Sequence, residues 1–171
     1  ERSARGPRAR SSFGVVAEFA VPGAGSTPFG ITAGPDGNLW FTEFGSDEIG
    51  RITPTGTVTE FAVPGAGSGP LGIVGSDAAG GKLFFPEFGS DEIGRIGTDG
   101  TIDFEIALPN AGSGPTEIGV SNGILVFTES LANQIGRLGT GGGAVLETPT
   151  NAGATPTGLT VAADNTVFFT E

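Results

Sequence analysis

The amino-acid sequence repeats itself, and no other feature constrains its fold as strongly. Trp40-Phe41-Thr42-Glu43-Phe44-Gly45-Ser46-Asp47-Glu48-Ile49-Gly50-Arg51-Ile52 recurs as Phe84-Phe85-Pro86-Glu87-Phe88-Gly89-Ser90-Asp91-Glu92-Ile93-Gly94-Arg95-Ile96. A looser copy combines Val126-Phe127-Thr128-Glu129 with Ile135-Gly136-Arg137-Leu138, and a last one is Phe168-Phe169-Thr170-Glu171. The glutamates at 43, 87, 129 and 171 are spaced by 44, 42 and 42 residues. Two other elements keep step with them. Glu18-Phe19-Ala20-Val21-Pro22 returns at Glu60, Glu105 and Glu147, and the pair Pro28/Ile31 returns at Pro70/Ile73, Pro115/Ile118 and Pro156/Leu159. A fixed period of this length describes like units that bury a core only by stacking on one another.

Within one period the local signals are β. Runs of Phe, Ile, Val and Thr are separated by Gly34-Pro35-Asp36-Gly37, Thr53-Pro54-Thr55-Gly56, Thr98-Asp99-Gly100 and Asn122-Gly123. Gly and Asn tolerate the positive φ of tight hairpins, and Pro presets turn entry. No sustained 3.6-residue apolar stripe is present, so essentially no helix is expected. Four strands per repeat are predicted: a from Pro28 to about Thr32, b over 38–44, c over 48–53 and d over 57–63.

Four antiparallel strands per period of this length form the blade of a β-propeller, so the predicted class is all-β. Residues 13–22 would supply a lone strand d, residues 28 to about 148 three full blades, and residues 156–171 strands a and b of a further blade. That tally leaves one blade without strand c. An incompletely closed ring of about four repeats is therefore expected, with open ends that invite self-association. Residues 1–12, which hold Arg2, Arg5, Arg8 and Arg10, read as a disordered leader. The first residue is not Met, and the chain is expected to be a piece of something longer.

Composition narrows the chemistry. The 32 Gly and 12 Pro residues lean towards low complexity, but 37% hydrophobic residues and 13 Phe supply enough apolar surface for a core. There is no Cys, His, Met or Tyr. Those absences exclude disulfides, thiolate or imidazole metal sites, Cys and Ser-His nucleophile pairs, and imidazole acid–base catalysis. Any chemistry must rest on carboxylates, hydroxyls, Arg and backbone. After the first ten residues the chain carries four basic and eighteen acidic side chains, a balance that repels nucleic acid and anionic membranes. No apolar run approaches the roughly 18 residues of a membrane span and no signal-peptide core is present, so a soluble chain is expected, its compartment open.

The string P-x-G-I, G-P-D-G-N-L-W-F-T-E, I-G-R-I, P-T-G and E-F-x-V-P is most complete between Pro28 and Pro64. With it the sequence resembles the virginiamycin B lyase (streptogramin lyase) family over roughly residues 13–171. The resemblance implies a seven-bladed propeller, of which four repeats are a little over half. It also implies an antibiotic-resistance enzyme that opens cyclic streptogramin B antibiotics at the ester linkage by elimination, using a His general base, supporting acidic residues and Mg²⁺. With no His in the sequence, no catalytic residue carries over to any position here. Two motif positions also depart from the pattern: Pro86 replaces Thr, and Glu117 stands where Gly30, Gly72 and Gly158 are found. Because a fold does not carry its chemistry with it, the expected function is a non-catalytic binding or scaffold propeller. Its loop face would meet a small molecule, a protein or a cation. The alternative is part of a Mg²⁺-dependent lyase whose base lies on other blades.

In a propeller, the d→a loops (22–28, 64–70 and 109–115) and the ends of strand b surround one mouth. There Glu43, Glu87 and Glu129 could bind a hard cation such as Mg²⁺ or Ca²⁺, which prefers oxygen ligands. The alternative is that each glutamate pairs with the Arg of its repeat (Arg51, Arg95 or Arg137) or faces water. Those arginines read as struts between blades or, failing that, as sites for anions. Asp47-Glu48 and Asp91-Glu92 could add to a cation site, whereas Asn133-Gln134 is neutral. Gly65–Pro70 and Gly75–Lys82 mimic phosphate loops, but the first precedes no helix and the second misses the spacing. Trp40, Phe41, Phe84, Phe85, Phe127, Phe168 and Phe169 are expected to pack between blades.

Overall fold

A computed structural model describes residues 18–171. Blade 1 is a meander of β1 (Pro28–Ala33), β2 (Leu39–Glu43), β3 (Glu48–Ile52) and β4 (Val58–Ala62), each strand antiparallel to the next. Blade 2 repeats it with β5 (Val74–Ser76), β6 (Lys82–Glu87), β7 (Glu92–Gly97) and β8 (Ile102–Ala107). Blade 3 consists of β9 (Pro115–Ser121), β10 (Ile124–Glu129), β11 (Gln134–Gly139) and β12 (Leu146–Pro149). A two-stranded sheet of β13 (Leu159–Val161) and β14 (Val167–Phe169) follows. The observed strands agree with the predicted ones to within a residue in blade 1. One 3-10 turn, Asp77–Ala79, interrupts the β pattern. No helix among the described residues is long and apolar enough to cross a membrane.

The first strands of successive sheets, β1, β5, β9 and β13, lie against one another in that order, so the sheets fan about a common edge. The ring is not closed. The P-x-G-I motif answers to this crowding: a Cβ on Gly30 would sit 2.6 Å from the Leu71 carbonyl oxygen of blade 2. Threonine of strand b sews the inner edge together. The Gly30 amide donates to Thr42 Oγ1 (2.9 Å), and that hydroxyl donates onward to the Leu71 carbonyl of the next blade. Thr128 does the same between the Glu117 amide (3.0 Å) and the Thr157 carbonyl (3.3 Å). In blade 2, Pro86 has no hydroxyl to offer. The Gly72 amide instead reaches the Thr116 carbonyl of blade 3 directly (2.9 Å), and the ladder of β5 begins only at Val74.

Successive side chains of strand b point to opposite flanks. Trp40, with Ile49 and Val63, packs against Ile73, Leu83, Phe85 and Ile96 of blade 2. Phe84, Ile93 and Leu108 pack likewise against Ile118, Leu125, Phe127 and Leu138 of blade 3. The core therefore lies between sheets. Arg51 behaves as the expected strut: its guanidinium covers Trp40 (5.5 Å) and Phe61 (5.3 Å), and Nη1 donates to the Thr98 carbonyl of blade 2 (3.0 Å). Arg95 and Arg137 do not span blades. Arg95 pairs with Asp103 (2.8 Å), and Arg137 donates to Thr148 Oγ1 (2.8 Å), in each case on the adjacent strand of their own sheet.

Two expectations fail at the ends. Residues 18–22 form no strand, because a strand d needs a strand c to pair with and none precedes it among the described residues. Residues 13–17 of that element, and the leader 1–12, lie outside the described residues. At the other end Phe168 and Phe169 are 57% and 40% exposed rather than packed. Only two strands stand there, and a cavity of about 430 Å³ opens beside them, lined by Val126, Arg137, Thr148, Val167, Phe169 and Glu171.

Candidate functional site

The loop face is built by side chains of one blade holding the backbone of the next. Asp47, in the left-handed region at φ 57°, accepts from the Gly67 (2.7 Å) and Gly69 (2.8 Å) amides and from Ser68 Oγ (3.3 Å). Asp91, also at φ 57°, accepts equivalently from Gly112 (2.6 Å), Gly114 (2.9 Å) and Ser113 Oγ (3.3 Å). Asn133 has one such bond, from the Thr155 amide (2.9 Å). These bonds, that from Gly69 foremost, hold the Asp47 carboxyl below its usual range. The aspartates expected to enlarge a cation site are thus engaged in fixing loops. Beside them Thr27, Pro28, Phe29, Phe44, Leu71 and Phe88 line an apolar cleft of about 330 Å³.

The buried chemistry sits inside the blades. Glu43 on β2 faces Glu48 on β3, and two residues along the same face Phe41, Gly50 and Glu60 form a row across three strands. Gly50 is the hole in this arrangement, since a Cβ there would lie 2.1 Å from the Phe41 ring. Carboxylate oxygens of Glu43, Glu48 and Glu60 gather within 4.8 Å of one another, as do those of Glu87, Glu92 and Glu105 in blade 2. In blade 3 Gln134 occupies the strand-c position opposite Glu129.

Glu43, Glu87 and Glu129 are fully buried. Ser46 and Ser90 hydroxyls donate to one oxygen of Glu43 (3.3 Å) and Glu87 (2.9 Å), while Oε1 of each has no partner. Burial, reinforced by neighbouring glutamates, raises all three carboxyls to about 7. Glu60 and Glu105 are raised too, by burial and then by Glu48 and Glu92 respectively.

Both alternatives for these glutamates fail, as none pairs with Arg51, Arg95 or Arg137 and none faces water. Nor do Glu43, Glu87 and Glu129 gather with one another: Glu43 and Glu87 each meet two acids of their own blade, and Glu129 lies near Glu147 of its own blade and Asp91 of blade 2. Glu60 and Glu105 escaped the sequence reading as ligands, although the element E-F-x-V-P that marks the period contains Glu60. Three carboxylates around unpartnered buried oxygens suit a hard divalent cation, so the residues present fit a Mg²⁺ or Ca²⁺ ion. Glu117 stands apart from these clusters: it lies over Gly72, where a Cβ would come within 2.6 Å of its Oε1, and burial raises its carboxyl.

The model of the virginiamycin B lyase family matches residues 8–171. This chain belongs to that family. It is similar to the virginiamycin B lyase of Saccharopolyspora erythraea, with 51% identity over 41 residues, 24% of this chain and 14% of that protein. The crystal structure of virginiamycin B lyase from Staphylococcus aureus superposes with a TM-score of 0.86 and 38% identity, over 94% of this chain and 54% of that one. A catalytically inactive histidine-to-alanine form of the Staphylococcus aureus virginiamycin B lyase, with Quinupristin, gives 0.85 and 39% over 92% and 53%. The chain thus spans about half the length of these solved virginiamycin B lyases, and its fan of sheets is a partial propeller.

Proposed function

We propose that this chain is a non-catalytic binding segment of a virginiamycin B lyase-type propeller, presenting its loop face to a small, apolar, streptogramin-like cyclic peptide. The absence of histidine carries the reading. The Staphylococcus aureus relative described as catalytically inactive lacks one histidine and is nevertheless described with Quinupristin, so binding and turnover are separable in the family. The groups that remain here are poor substitutes for an exposed base. Glu43, Glu87 and Glu129 are sealed inside blades and hold their protons to about pH 7. Phe44 and Phe88 at the loop-face cleft offer apolar contact instead.

The test is to incubate the chain with a streptogramin B and Mg²⁺ and separate ring-opened product by chromatography, since elimination leaves the mass unchanged. No product is expected. Calorimetric binding of the antibiotic should be present and should weaken at least several-fold in Phe44→Ser. Turnover by this chain would overturn the non-catalytic reading, and absence of binding would overturn the ligand. A second reading draws on the coverage, about half of each solved relative: the chain is part of a Mg²⁺-dependent lyase whose base lies on other blades. Joining it to the remaining blades of the Staphylococcus aureus enzyme would then yield activity.

A further inference from the structure

We propose that blades 1 and 2 each hold one hard divalent cation within the sheet, clamped by glutamates of its second, third and fourth strands, and that blade 3 holds none. The ligands are Glu43, Glu48 and Glu60 in the first site and Glu87, Glu92 and Glu105 in the second. The proposal does not depend on whether the chain turns over an antibiotic.

Each site gathers three carboxylates into a volume whose oxygens lie within 4.8 Å of one another. Metal–oxygen distances of roughly 2.0–2.6 Å place a single ion in reach of all three. The innermost ligand of each set is fully buried, with Oε1 left without a hydrogen-bond partner. An unpartnered buried oxygen of this kind is costly, and a cation relieves it. The sites are built rather than incidental. Gly50 and Gly94 lack the side chain that would fill the space, since a Cβ on Gly94 would sit 2.8 Å from Glu87 Oε1. Neither the Arg51 nor the Arg95 guanidinium turns towards the cluster in its own blade: one covers Trp40 and the other Phe104. Among the described residues, no basic side chain therefore competes with an ion.

Blade 3 shares the buried, unpartnered glutamate and the glycine beside it, Glu129 and Gly136, and is an internal contrast in ligand charge alone. It keeps Glu129 and Glu147 but replaces the strand-c glutamate with Gln134, lowering the ligand charge from −3 to −2.

Isothermal titration of the chelator-stripped chain with CaCl₂, and separately with MgCl₂, tests the proposal at about pH 7.5. Saturation at two ions per chain is expected with at least one of them, and the tighter binder names the occupant. Glu60→Gln and Glu105→Gln should each leave one ion, their combination none. Gln134→Glu, which completes the third cluster without removing anything, should raise the count to three. Circular dichroism checks that every variant keeps its fold. A wild-type stoichiometry other than two, no saturation by either ion at millimolar concentration, or two ions still bound by the double variant would overturn the proposal.

Discussion

Two copies of one tetrapeptide pattern meet opposite fates. Phe84-Phe85-Pro86-Glu87, in the middle of the fan, places both rings and the carboxyl at 0% exposure. Phe168-Phe169-Thr170-Glu171, on and just beyond β14, leaves the rings half in water and Glu171 exposed. The strands themselves are alike, and what differs is their company. β6 has β7 and β8 outside it and a blade on each flank, whereas β14 pairs only with β13. Burial and the shifted acidity that follows from it are therefore properties of the stack, not of the motif.

The sharpest way to break this comparison is to truncate equivalent aromatics. Phe85→Ala should cost about 3–5 kcal/mol in chemical denaturation, as for other fully buried rings. Phe168→Ala should stay within about 0.5 kcal/mol, as for exposed positions. Comparable losses at both sites would mean that the terminal pair is covered in solution, as a self-associating open end would be.

The second contrast is acid–base. The Glu87 carboxyl rises from an ordinary 4.5 to about 7 through burial, with Glu105 and Glu92 beside it and Asp47 across the interface. A carboxyl whose folded value is raised contributes its full stability below pH 4.5, and loses it as pH climbs through about 7. The loss is at most about 3 kcal/mol for one such group. The melting temperature in chelator should fall between pH 5 and 8, and Glu87→Gln should flatten that fall.

The smallest contrast concerns the loop clips. Asp91→Ala removes two charge-assisted amide bonds and should cost about 2 kcal/mol, whereas Asn133→Ala removes one neutral bond and should cost about 1. Equal denaturation midpoints for the two variants would show that the last clip is no weaker than the interior one.

Much of the architecture was legible because a repeat states the same thing several times. The period, the strand order and the inter-blade aromatics could each be read from aligned copies, and Trp40, Phe85 and Phe127 lie where that reading puts them. The lone strand before Pro28 was not legible, because the pattern names a strand without supplying the partner it must pair with. Pairing of Glu43 with Arg51 looked plausible by charge, yet the two belong to different faces. Glu43 lies on the flank shared with Glu60, while Arg51 turns to the Trp40 flank, and alternation along β2 and β3 separates them. The role of Asp47 was hidden for another reason: its partners are backbone amides, which every residue except proline possesses.

That grip has a direction. Asp47 precedes the Gly67 and Gly69 amides it takes by 20 and 22 residues, and Asp91 precedes Gly112 and Gly114 by 21 and 23. The holder is always made before what it holds. A ribosome releasing this chain would deliver each receptor while the loop it awaits was still being synthesised, so the sheets can fasten in the order of translation without waiting for the far end.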